Sequence, residues 1–551
     1  KKGDRHTPNN YRPISLISCI GKVMERVIHK HSYNYCLDHN IFTAFQSGFI
    51  QGDSTTYQLL DLYHTFCEAV DSGKEVRAVF CDITKAFDRV WHKGLIHKLR
   101  NAGFAGKILE WFSDYLSNRR QRVVLNGNAS GFKCISAGVP QGSILGPFLF
   151  LIYINDIVET LNCNVRLFAD DTSLYVIVEN PISAANTLNS NLSSMHAWSE
   201  QWLVKFNPSK TESLIFSRKR NKLIHPQLVM NNTPITEVTD HRHLGITFSN
   251  DCTWNIHIVK ITTTAWQRIN ILRAFKFKLD RKSLERMYIS FIRPILEYSG
   301  AIWDNCSNED QKLLEAVQIE AMRIITGATK LCSISKLYED TGFITLSKRR
   351  ELQKLTIFYK MMNGLAPEYL NRFIPPLVQD ASRYSLRNSN NLNTVRSNSN
   401  LYYNSFVPST IRLWNNLPLL VRNSTSLNDF KENISGQRIK PPEYYYSGER
   451  HAQIYHARLR LECSSLRSHL YHKNLVDSPL CSCGEVETSK HYLIECHNYR
   501  QLRNQTLAEV LHFPIKTLLC GDISFSRDQN ESIFKSVQDF IIHSNRFNAA
   551  N

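Results

Sequence analysis

The first 250 residues combine two kinds of hydrophobic pattern. Short apolar runs rich in β-branched and aromatic residues predict strands at residues 76–80, 165–168, 174–178 and 213–216. Longer stretches with apolar residues three or four positions apart predict helices at residues 14–36, 55–70, 143–158 and 184–202. An Asn-Gly-Asn sequence at 126–128 predicts a hairpin turn between two further short strands. Both strands and helices are therefore expected in this half of the chain.

The second half of the chain is different in character. Helical periodicity dominates residues 250–370. Cations recur there, at Arg268, Arg273, Lys276, Lys278, Arg281, Lys282, Arg286 and Arg293. Such a basic helical face suits a nucleic-acid duplex, although an ordinary solvated helix face gives the same pattern. Residues 379–404 are rich in Asn and Ser, which predicts a linker before a further folded region at 405–551.

Composition sets outer limits on the function. The chain has 551 residues, 42% of them hydrophobic, which is enough for several folded domains. The formal net charge of +17 favours a polyanionic partner, and nucleic acid is the first expectation. The longest apolar run, residues 144–154, contains Gly146 and Pro147 and is too short to span a bilayer, so no membrane partner is expected.

Cysteine usage and the first residue give two further expectations. The 14 cysteines follow no disulfide framework, which favours a reducing compartment. The chain begins with Lys1 rather than Met, so we expect a fragment of a longer polyprotein.

Acidic residues follow two of the predicted strands. Asp170 and Asp171 lie between two apolar runs, where a hairpin would carry both at its tip, and Asp82 follows another buried run. Side-by-side carboxylates are costly unless a cation neutralises them. If the two strands are neighbours, the three aspartates form a cluster suited to two Mg²⁺ ions. An Asp-Asp pair in a solvated turn is the simpler alternative for Asp170 and Asp171 alone.

Six short segments carry a more specific pattern. In chain order they are NYRPISL (10–16), FCDITKAFD (80–88), AGVPQGSILGP (137–147), FADDT (168–172), NPSKTE (207–212) and HLGITF (243–248). Their identity and order resemble the reverse transcriptases of non-LTR, LINE-type retrotransposons of the jockey/CR1-like kind. Any one segment is unspecific, but the ordered set is not.

The resemblance implies a right-hand polymerase fold of the α+β class. Fingers and palm would occupy residues 1–249, with the N-terminal edge of the fingers truncated. A helical thumb and connector would follow at 250–378, then the linker at 379–404 and a mostly helical C-terminal region at 405–551. The hairpin at 243–248 would grip the primer strand.

The resemblance also implies roles for individual residues. Asp82, Asp170 and Asp171 would be the catalytic ligands of two Mg²⁺ ions. The predicted nucleotide-binding residues are Arg12, Phe87, Gln141 and Lys210. Phe87 would exclude a ribose 2′-OH, and Lys210 would protonate the departing pyrophosphate. From pattern alone, Phe87 is more simply a core residue, and Lys210 a structural or solvated one.

The implied reaction adds dNTPs to a primer 3′-OH on an RNA template. The partners would be the RNA template, a DNA primer or target, and dNTPs, with an endonuclease encoded upstream in the same polyprotein. Localisation inferred from this function is intracellular, in cytoplasm and nucleus.

A second chemical pattern lies near the C-terminus. Residues 481–496 contain C-x-C-x₇-H-x₄-C, formed by Cys481, Cys483, His491 and Cys496. Three thiolates and one imidazole suit a structural, tetrahedral Zn²⁺ ion, and relatives carry a zinc knuckle in this region. His497 is an alternative ligand to Cys496. The module would also present Arg500 and Arg503 to RNA.

Two alternative functions stay open at this point. An RNA-templated RNA polymerase shares the Asp-Asp tip, but the bulky Phe87 argues against it because such an enzyme must admit the 2′-OH. A catalytically inactive, transposon-derived nucleic-acid-binding protein is the other, and the three intact aspartates argue against that one.

Overall fold

The structure is a computed structural model that describes residues 4, 7, 11, 14–381, 389–436 and 440–547. Contacts divide the chain into two compact units. The first, here called the sheet unit, comprises Lys1–Thr253 and Ile357–Asn416. The second, the helical unit, comprises Trp254–Thr356 and Leu417–Asn551.

A five-stranded sheet forms the centre of the sheet unit. Its strands, from one edge to the other, are Thr236–Val238, Glu212–Phe216, Glu75–Cys81, Asp171–Val178 and Asn164–Phe168. All neighbouring pairs are antiparallel except the first, which is parallel. Four two-stranded ribbons accompany it, Arg120–Gln121 with Lys133–Cys134, Val124–Leu125 with Asn128–Ala129, Val229–Met230 with Thr233–Pro234, and Asp240–His243 with Ile246–Ser249. The predicted strands, the Asn126-Gly127 turn and the hairpin around residues 243–248 are therefore confirmed.

Helices cover both faces of this sheet. In chain order the helices of the sheet unit are Cys19–Asp38, Thr55–Asp71, His92–Asn101, Gly106–Leu116, Leu145–Ile154, Pro181–Gln201, Val378–Ala381, Asn400–Tyr403 and Phe406–Asn415. Val79 and Leu174 lie in one large core with residues of Leu145–Ile154 and Pro181–Gln201. On the other face, Phe66 of Thr55–Asp71 contacts the rings of the sheet residues Tyr175 and Phe216. Both faces are buried, so the strands read as continuous apolar runs.

The helix predicted at 14–36 differs from expectation in its packing. It spans Cys19–Asp38, and the face expected in the core, which includes Ile20, Val23 and Val27, is exposed. The opposite face is buried instead, and Glu25 accepts hydrogen bonds there from the Tyr115 hydroxyl (2.9 Å) and a backbone N–H (2.7 Å). A hydrophobic period shows which residues share a face but not which face is covered.

Residues 357–416 return to the sheet unit. In the segment 379–404, which was predicted to be a linker, the described part is packed, because Leu392 is buried. The N–H groups of Asn398 and Ser399 also donate to the Asp71 carboxylate (3.0 and 2.7 Å). These polar side chains and backbone groups are used in contacts, which composition alone does not show. The division at 249, 378 and 404 concerns function and stays a prediction.

The described residues of the helical unit form helices joined by loops. The helices are Asn255–Ala274, Arg281–Met287, Arg293–Glu297, Gly300–Trp303, Asn308–Thr326, Ile334–Thr341, Leu346–Met362 (whose last turn lies in the sheet unit), Leu419–Arg422, Leu427–Ser435, Arg450–Arg460, Arg467–Tyr471, Arg500–Thr506, Ile515–Cys520 and Arg527–His543. The prediction of a mostly helical C-terminal region is confirmed. Among the helices of the described chain, none is long and apolar enough to cross a membrane.

Some cations of the predicted basic helical face are buried or paired with carboxylates, and others are exposed. Arg281 is buried and paired with Asp340 (2.8 Å), and Arg273 is paired with Glu320 (2.9 Å). Lys278, Lys282 and Arg286 remain exposed. A sequence pattern of like charges does not reveal such long-range pairing.

Candidate active site and metal centre

The three predicted aspartates lie at adjacent strand ends. Phe168 and Asp171 pair across the acidic hairpin, formed by Asn164–Phe168 and Asp171–Val178, so Ala169 and Asp170 form its two-residue tip. The neighbouring strand ends with Cys81 opposite Thr172, which places Asp82 beside Asp171. The register therefore places Asp82, Asp170 and Asp171 at the same end of adjacent strands.

Buried strand bodies and an accessible tip explain this placement. Val79, Leu167 and Leu174 are fully buried in the core. Asp82 and Asp170 are partly exposed, and Asp171 is exposed. Burial of apolar side chains fixes the register of the three strands, because a one-residue slip would turn every side chain of a strand to the opposite face of the sheet. The carboxylates can thus stay in contact with water and with a ligand.

The NPSKTE segment is held against Asp82 by backbone hydrogen bonds. The N–H of Asn207 donates to the Asp82 carbonyl (2.9 Å), and the N–H of Thr84 donates to the Lys205 carbonyl (2.8 Å). The Lys210 ammonium consequently lies 3.7 Å from an Asp82 carboxylate oxygen, and both side chains are substantially exposed. Lys210 is therefore within reach of any anionic ligand bound at the aspartates.

The AGVPQG segment lies against the turn that follows Asp82. The N–H of Val139 donates to the Phe87 carbonyl (2.8 Å). Gly138 has φ +92°, and a Cβ there would lie 2.7 Å from the Asp88 carbonyl oxygen, so only glycine fits. The Gln141 amide donates to the Asp88 carboxylate (2.8 Å). These contacts bring Phe87 and Gln141 to the same side of the site.

Phe87 is half-buried rather than enclosed. Its ring stacks on Phe150 with centroids 4.7 Å apart, and its edge meets Phe49 at 6.3 Å. The ring is thus supported on one side and accessible on another. Arg12, the fourth predicted nucleotide-binding residue, lies outside the described residues.

One segment beside the aspartates was not singled out from the sequence. Residues 45–48 run alongside the acidic hairpin, where the N–H of Ser47 donates to the Leu167 carbonyl and the N–H of Leu167 donates to the Phe45 carbonyl (both 2.9 Å). Gln46 is 5% exposed. A glutamine flanked by aromatic residues in a Gly-containing loop was the available signal, but it resembles any loop that precedes a helix.

The four predicted thiol and imidazole ligands also converge. The ligand atoms of Cys481, Cys483, His491 and Cys496 all lie within 4.8 Å of one another. The sulfur of Cys496 is 3.8 Å from that of Cys481 and 3.9 Å from that of Cys483, and the Cys483 sulfur is 3.1 Å from His491 Nε2. Among the described residues, no other group of three or more His, Cys, Asp and Glu side chains has its ligand atoms this close together.

A tight turn shapes the part of this cluster that contains Cys481 and Cys483. The N–H of Cys481 donates to the Glu485 carbonyl (2.7 Å), and Gly484 has φ +92°, which allows the chain to reverse. Burial alone would raise the pKa of the Cys481 thiol, but hydrogen bonds from the Cys483 backbone and from His491 outweigh it and lower the pKa to about 7. A thiolate is the form that binds metals.

The surroundings of the cluster bear on two predictions from the sequence: the choice between Cys496 and His497 as a ligand, and the role of Arg503. The cluster includes Cys496, whereas His497 is exposed and outside it. Arg503, expected to face RNA, is buried and donates to the carbonyls of Leu493 (2.9 Å) and Cys496 (2.7 Å). Arg503 therefore supports the cluster, and only Arg500 is exposed.

Comparison with known proteins bears directly on the acidic site. Residues 1–248 match the family model described as reverse transcriptase (RNA-dependent DNA polymerase). The matched residues make up a little under half of the chain. The match contains the acidic hairpin, the Asp82 strand and the other four segments of the ordered set, all at or before Phe248.

Relatives of this reverse transcriptase domain include proteins of Drosophila melanogaster mobile elements. The probable RNA-directed DNA polymerase from transposon BS is 30% identical over 357 residues, covering 62% of this chain and 39% of that protein. The RNA-directed DNA polymerase from mobile element jockey is 29% identical, covering 58% of this chain and 36% of that protein. The resemblance to non-LTR retrotransposon reverse transcriptases is thereby confirmed. The chain spans about two fifths of the length of these curated relatives.

Solved structures similar to the chain include telomerases. Apo telomerase from Candida tropicalis is 11% identical, covering 60% of this chain and 53% of that chain, with a TM-score of 0.34. Telomerase from the same organism in complex with a fragment of telomeric RNA gives 12% identity, coverages of 60% and 48%, and a TM-score of 0.35.

Proposed function

We propose that this chain is an RNA-directed DNA polymerase of a non-LTR retrotransposon. It adds dNTPs to a primer 3′-OH on an RNA template and serves target-primed reverse transcription. The observation that carries the proposal is the juxtaposition of Asp82 with Asp170 and Asp171 inside a reverse transcriptase domain. The chain spans about two fifths of the length of its relatives, so the activity of those whole proteins is a proposal for this chain.

We propose that the acidic site holds two Mg²⁺ ions. Carboxylate oxygens are the ligands that Mg²⁺ prefers, and all three carboxylates are at least partly accessible. The Lys210 ammonium near Asp82 supports the same conclusion, because a cation is favoured at that carboxylate. Asp82, Asp170 and Asp171 would hold the ions, which when bound activate the primer hydroxyl and neutralise the triphosphate.

Four side chains of the chain itself complete the proposal. Phe87, supported by Phe150, presents its ring to the sugar of the incoming nucleotide and leaves no room for a 2′-OH. Gln141, in the AGVPQG segment beside Phe87, positions the nucleotide. Lys210 donates a proton to the leaving pyrophosphate, for which its position beside Asp82 is suitable. Arg12 binds the triphosphate.

The Cys/His cluster fits a structural Zn²⁺ ion. With Zn–S bonds of about 2.3 Å, tetrahedral geometry requires sulfur atoms about 3.8 Å apart. The observed separations of 3.8 and 3.9 Å match this requirement. Cys481, Cys483, His491 and Cys496 use all four tetrahedral positions, so the ion would stabilise the fold and leave no position for a substrate.

The proposed partners follow from the reaction. They are an RNA template, a DNA primer or target and dNTPs, with a nicking endonuclease encoded upstream in the polyprotein. The net charge of +17 supports binding to polyanions of this kind. We propose that the protein acts inside the cell, in cytoplasm and nucleus.

Primer extension on an RNA template with dNTPs and Mg²⁺ tests the proposal. Asp170→Ala should reduce the extension rate at least about a thousandfold, or about 4 kcal/mol, because it removes a metal ligand. Asp114→Ala, which changes an exposed aspartate on the helix Gly106–Leu116, is the matched control and should extend normally. RNA binding without extension, in the chain and in a version with residues restored before Lys1, would favour the inactive binding protein.

Nucleotide selection tests Phe87 and the RNA-polymerase alternative together. The unchanged protein should prefer dNTPs over rNTPs. Phe87→Ala should reduce this preference at least about tenfold, or about 1.4 kcal/mol, by opening space for the 2′-OH. Phe150→Leu, which alters only the residue behind the ring, should change the preference less. A wild-type preference for rNTPs would contradict the proposed substrate.

A further inference from the structure

The side chain of Gln46 holds the tip of the acidic hairpin from behind. Its Oε1 accepts hydrogen bonds from the N–H of Ala169 (2.9 Å) and the N–H of Gly48 (2.8 Å). Its Nε2 donates to the carbonyl of Ala169 (3.5 Å). One buried amide therefore satisfies both backbone polar groups of the residue that precedes Asp170.

Ala169 needs such support because of its conformation. It has φ +54°, in the left-handed region that residues with a Cβ rarely adopt. The residue is buried, so its N–H and C=O would be costly to leave without partners. The amide of Gln46 supplies an acceptor and a donor in the arrangement that this conformation requires.

The loop that carries Gln46 approaches the tip very closely. A Cβ on Gly48 would lie 2.2 Å from the nitrogen of Ala169 and 2.8 Å from the carbonyl carbon of Phe168. Glycine is therefore required at position 48 for the loop and the hairpin to be in contact. The backbone hydrogen bond from the N–H of Ser47 to the Leu167 carbonyl fixes the same approach one residue away.

We propose that Gln46 is a positioning residue that sets the direction of the Asp170 carboxylate and thereby the metal affinity of the acidic site. The Ala169 carbonyl belongs to the peptide that joins Ala169 to Asp170, so turning this peptide turns the Cα–Cβ bond of Asp170. Mg²⁺ demands near-ideal octahedral geometry, which makes such a rotation consequential. The inference rests on the proposed function for its effect on catalysis, but its effect on metal binding can be measured separately.

The chain offers a matched control for Gln46. Gln58, on the helix Thr55–Asp71, is fully buried, and neither polar atom of its amide has a hydrogen-bond partner. Gln58→Leu is the same chemical change at a buried site of the sheet unit, without contact with the hairpin tip. Gln46→Leu removes all three hydrogen bonds, and Gln46→Asn keeps the amide but shortens its reach by one methylene group.

Mn²⁺ titration of the full 551-residue chain, followed by electron paramagnetic resonance, is the first test. The relevant Mn²⁺ site is the one that disappears in Asp170→Ala. We expect its affinity to fall about 10- to 100-fold in Gln46→Leu, in line with changes to groups that orient metal ligands, and by a smaller factor in Gln46→Asn. Gln58→Leu should bind as the unchanged protein does.

Primer extension under saturating RNA is the second test. The turnover number should fall by a similar factor in Gln46→Leu, while RNA affinity remains close to that of Gln58→Leu. The midpoint of thermal unfolding should fall in Gln46→Leu, because the buried N–H and C=O of Ala169 lose their partners. If Gln46→Leu does not fold, Gln46→Asn decides the question.

The outcomes separate the two proposals. Loss of Mn²⁺ affinity in the Gln46 variants would support the positioning role even if the unchanged chain failed to extend primers, which would count against the proposed function alone. Mn²⁺ affinity and turnover within twofold of Gln58→Leu would overturn the positioning role. Absence of any Mn²⁺ site that depends on Asp170 would overturn both proposals.

Discussion

Lys98 is a buried cation held by aromatic rings, although it lies outside the active site. It is 6% exposed, and its ammonium donates to the Tyr153 carbonyl (2.6 Å) and the Asp156 carboxylate (2.5 Å). The rings of Trp202 and Trp198 lie 3.8 and 4.6 Å from the ammonium. Burial lowers the pKa of Lys98 to about 8, against the opposing effect of Asp156.

The lowered pKa predicts a pH-dependent contribution to stability. Between pH 8 and the unfolded value of 10.5, the unfolded chain holds this proton more strongly, so stability due to Lys98 rises with pH. The difference in unfolding free energy between the wild type and Lys98→Met should therefore rise by about 2 kcal/mol from pH 8 to pH 10. Urea unfolding at several pH values measures it.

The same substitution at an exposed lysine controls for the Lys98 experiment. Lys107→Met changes a surface lysine on the helix Gly106–Leu116 and should give a difference that does not vary over this pH range. A difference between wild type and Lys98→Met that stays constant from pH 8 to pH 10 would contradict the assigned cause.

At the residue scale, a functional residue could be predicted from the sequence when it lies in a recognisable local motif. Asp82, Asp170 and Asp171 could be predicted because each follows or precedes an apolar run, and register then brings strand ends together. Gln46 and Lys98 could not be predicted, since Ala169 and Asp156, which they respectively contact, lie more than 50 residues away and neither residue belongs to a recognisable motif. Long-range hydrogen bonds of single side chains leave no periodic signal.

At the scale of elements, the sequence predicted which segments are helices better than which helix faces are buried. The helix Cys19–Asp38 was predicted, but its apolar face is exposed. The helix Thr55–Asp71 was also predicted, and it buries polar residues as well, including Asp61 and His64. Asp61 pairs with Arg166 (2.7 Å) and with Arg372 (2.6 Å) from the returning segment 357–416. The sequence alone does not show that residues 357–416 are needed to pair this buried carboxylate.

His64 makes the packing of this returning segment sensitive to acid. Its ring is stacked on Tyr402 at 5.3 Å and meets the edge of Phe373 at 4.7 Å, and Nδ1 lies 3.5 Å from the Ser405 hydroxyl. Burial, with a smaller effect of Arg372, lowers the pKa of His64 to about 3. Protonation is therefore favoured only when this packing is lost.

The stabilising effect of His64 packing should be lost as the pH falls below the unfolded value of 6.5. At pH 5 the cost relative to neutral pH is about 2 kcal/mol. Hydrogen exchange in residues 400–415 should accelerate at pH 5 relative to pH 7.5, after correction for intrinsic rates. His64→Leu should remove most of this difference, because no proton can be taken up at that position. Equal acid sensitivity in both proteins would refute the role of His64.

The Cys/His cluster is a second element whose stability should depend on a ligand. Tyr492 and Leu493, between His491 and Cys496, are fully buried in a core with Val537 and Phe540. We expect one zinc ion per chain by atomic absorption, and a strong chelator should lower the thermal midpoint of the helical unit because metal binding is linked to folding. Cys483→Ser should bind no zinc, whereas Cys520→Ser, outside the cluster, should bind it normally. A full zinc content in Cys483→Ser would contradict the ligand assignment.

At the scale of the whole molecule, the reverse transcriptase match ends before the sheet unit does. The match covers residues 1–248, but the unit also requires Ile357–Asn416. Without that segment, the fully buried Asp61 loses Arg372, and Asp53 loses the Tyr369 hydroxyl (2.9 Å). Helix Thr55–Asp71 also loses the packing of Phe373 and Tyr402 on His64. The family boundary and the folding boundary therefore differ.

This difference predicts how fragments of the chain behave. A fragment of residues 1–253 should unfold at a lower temperature than the complete sheet unit and should expose apolar surface. A buried charge that loses a partner and a helix face that loses its cover are both destabilising. The same residues joined to 357–416 by a flexible Gly/Ser linker should recover a cooperative unfolding transition by circular dichroism. In the joined fragment, Arg372→Met should cost about 2 kcal/mol and Arg166→Met more, since Arg166 is buried and Arg372 is half-exposed. Equal unfolding midpoints for the two fragments would show that residues 1–253 fold independently of the returning segment.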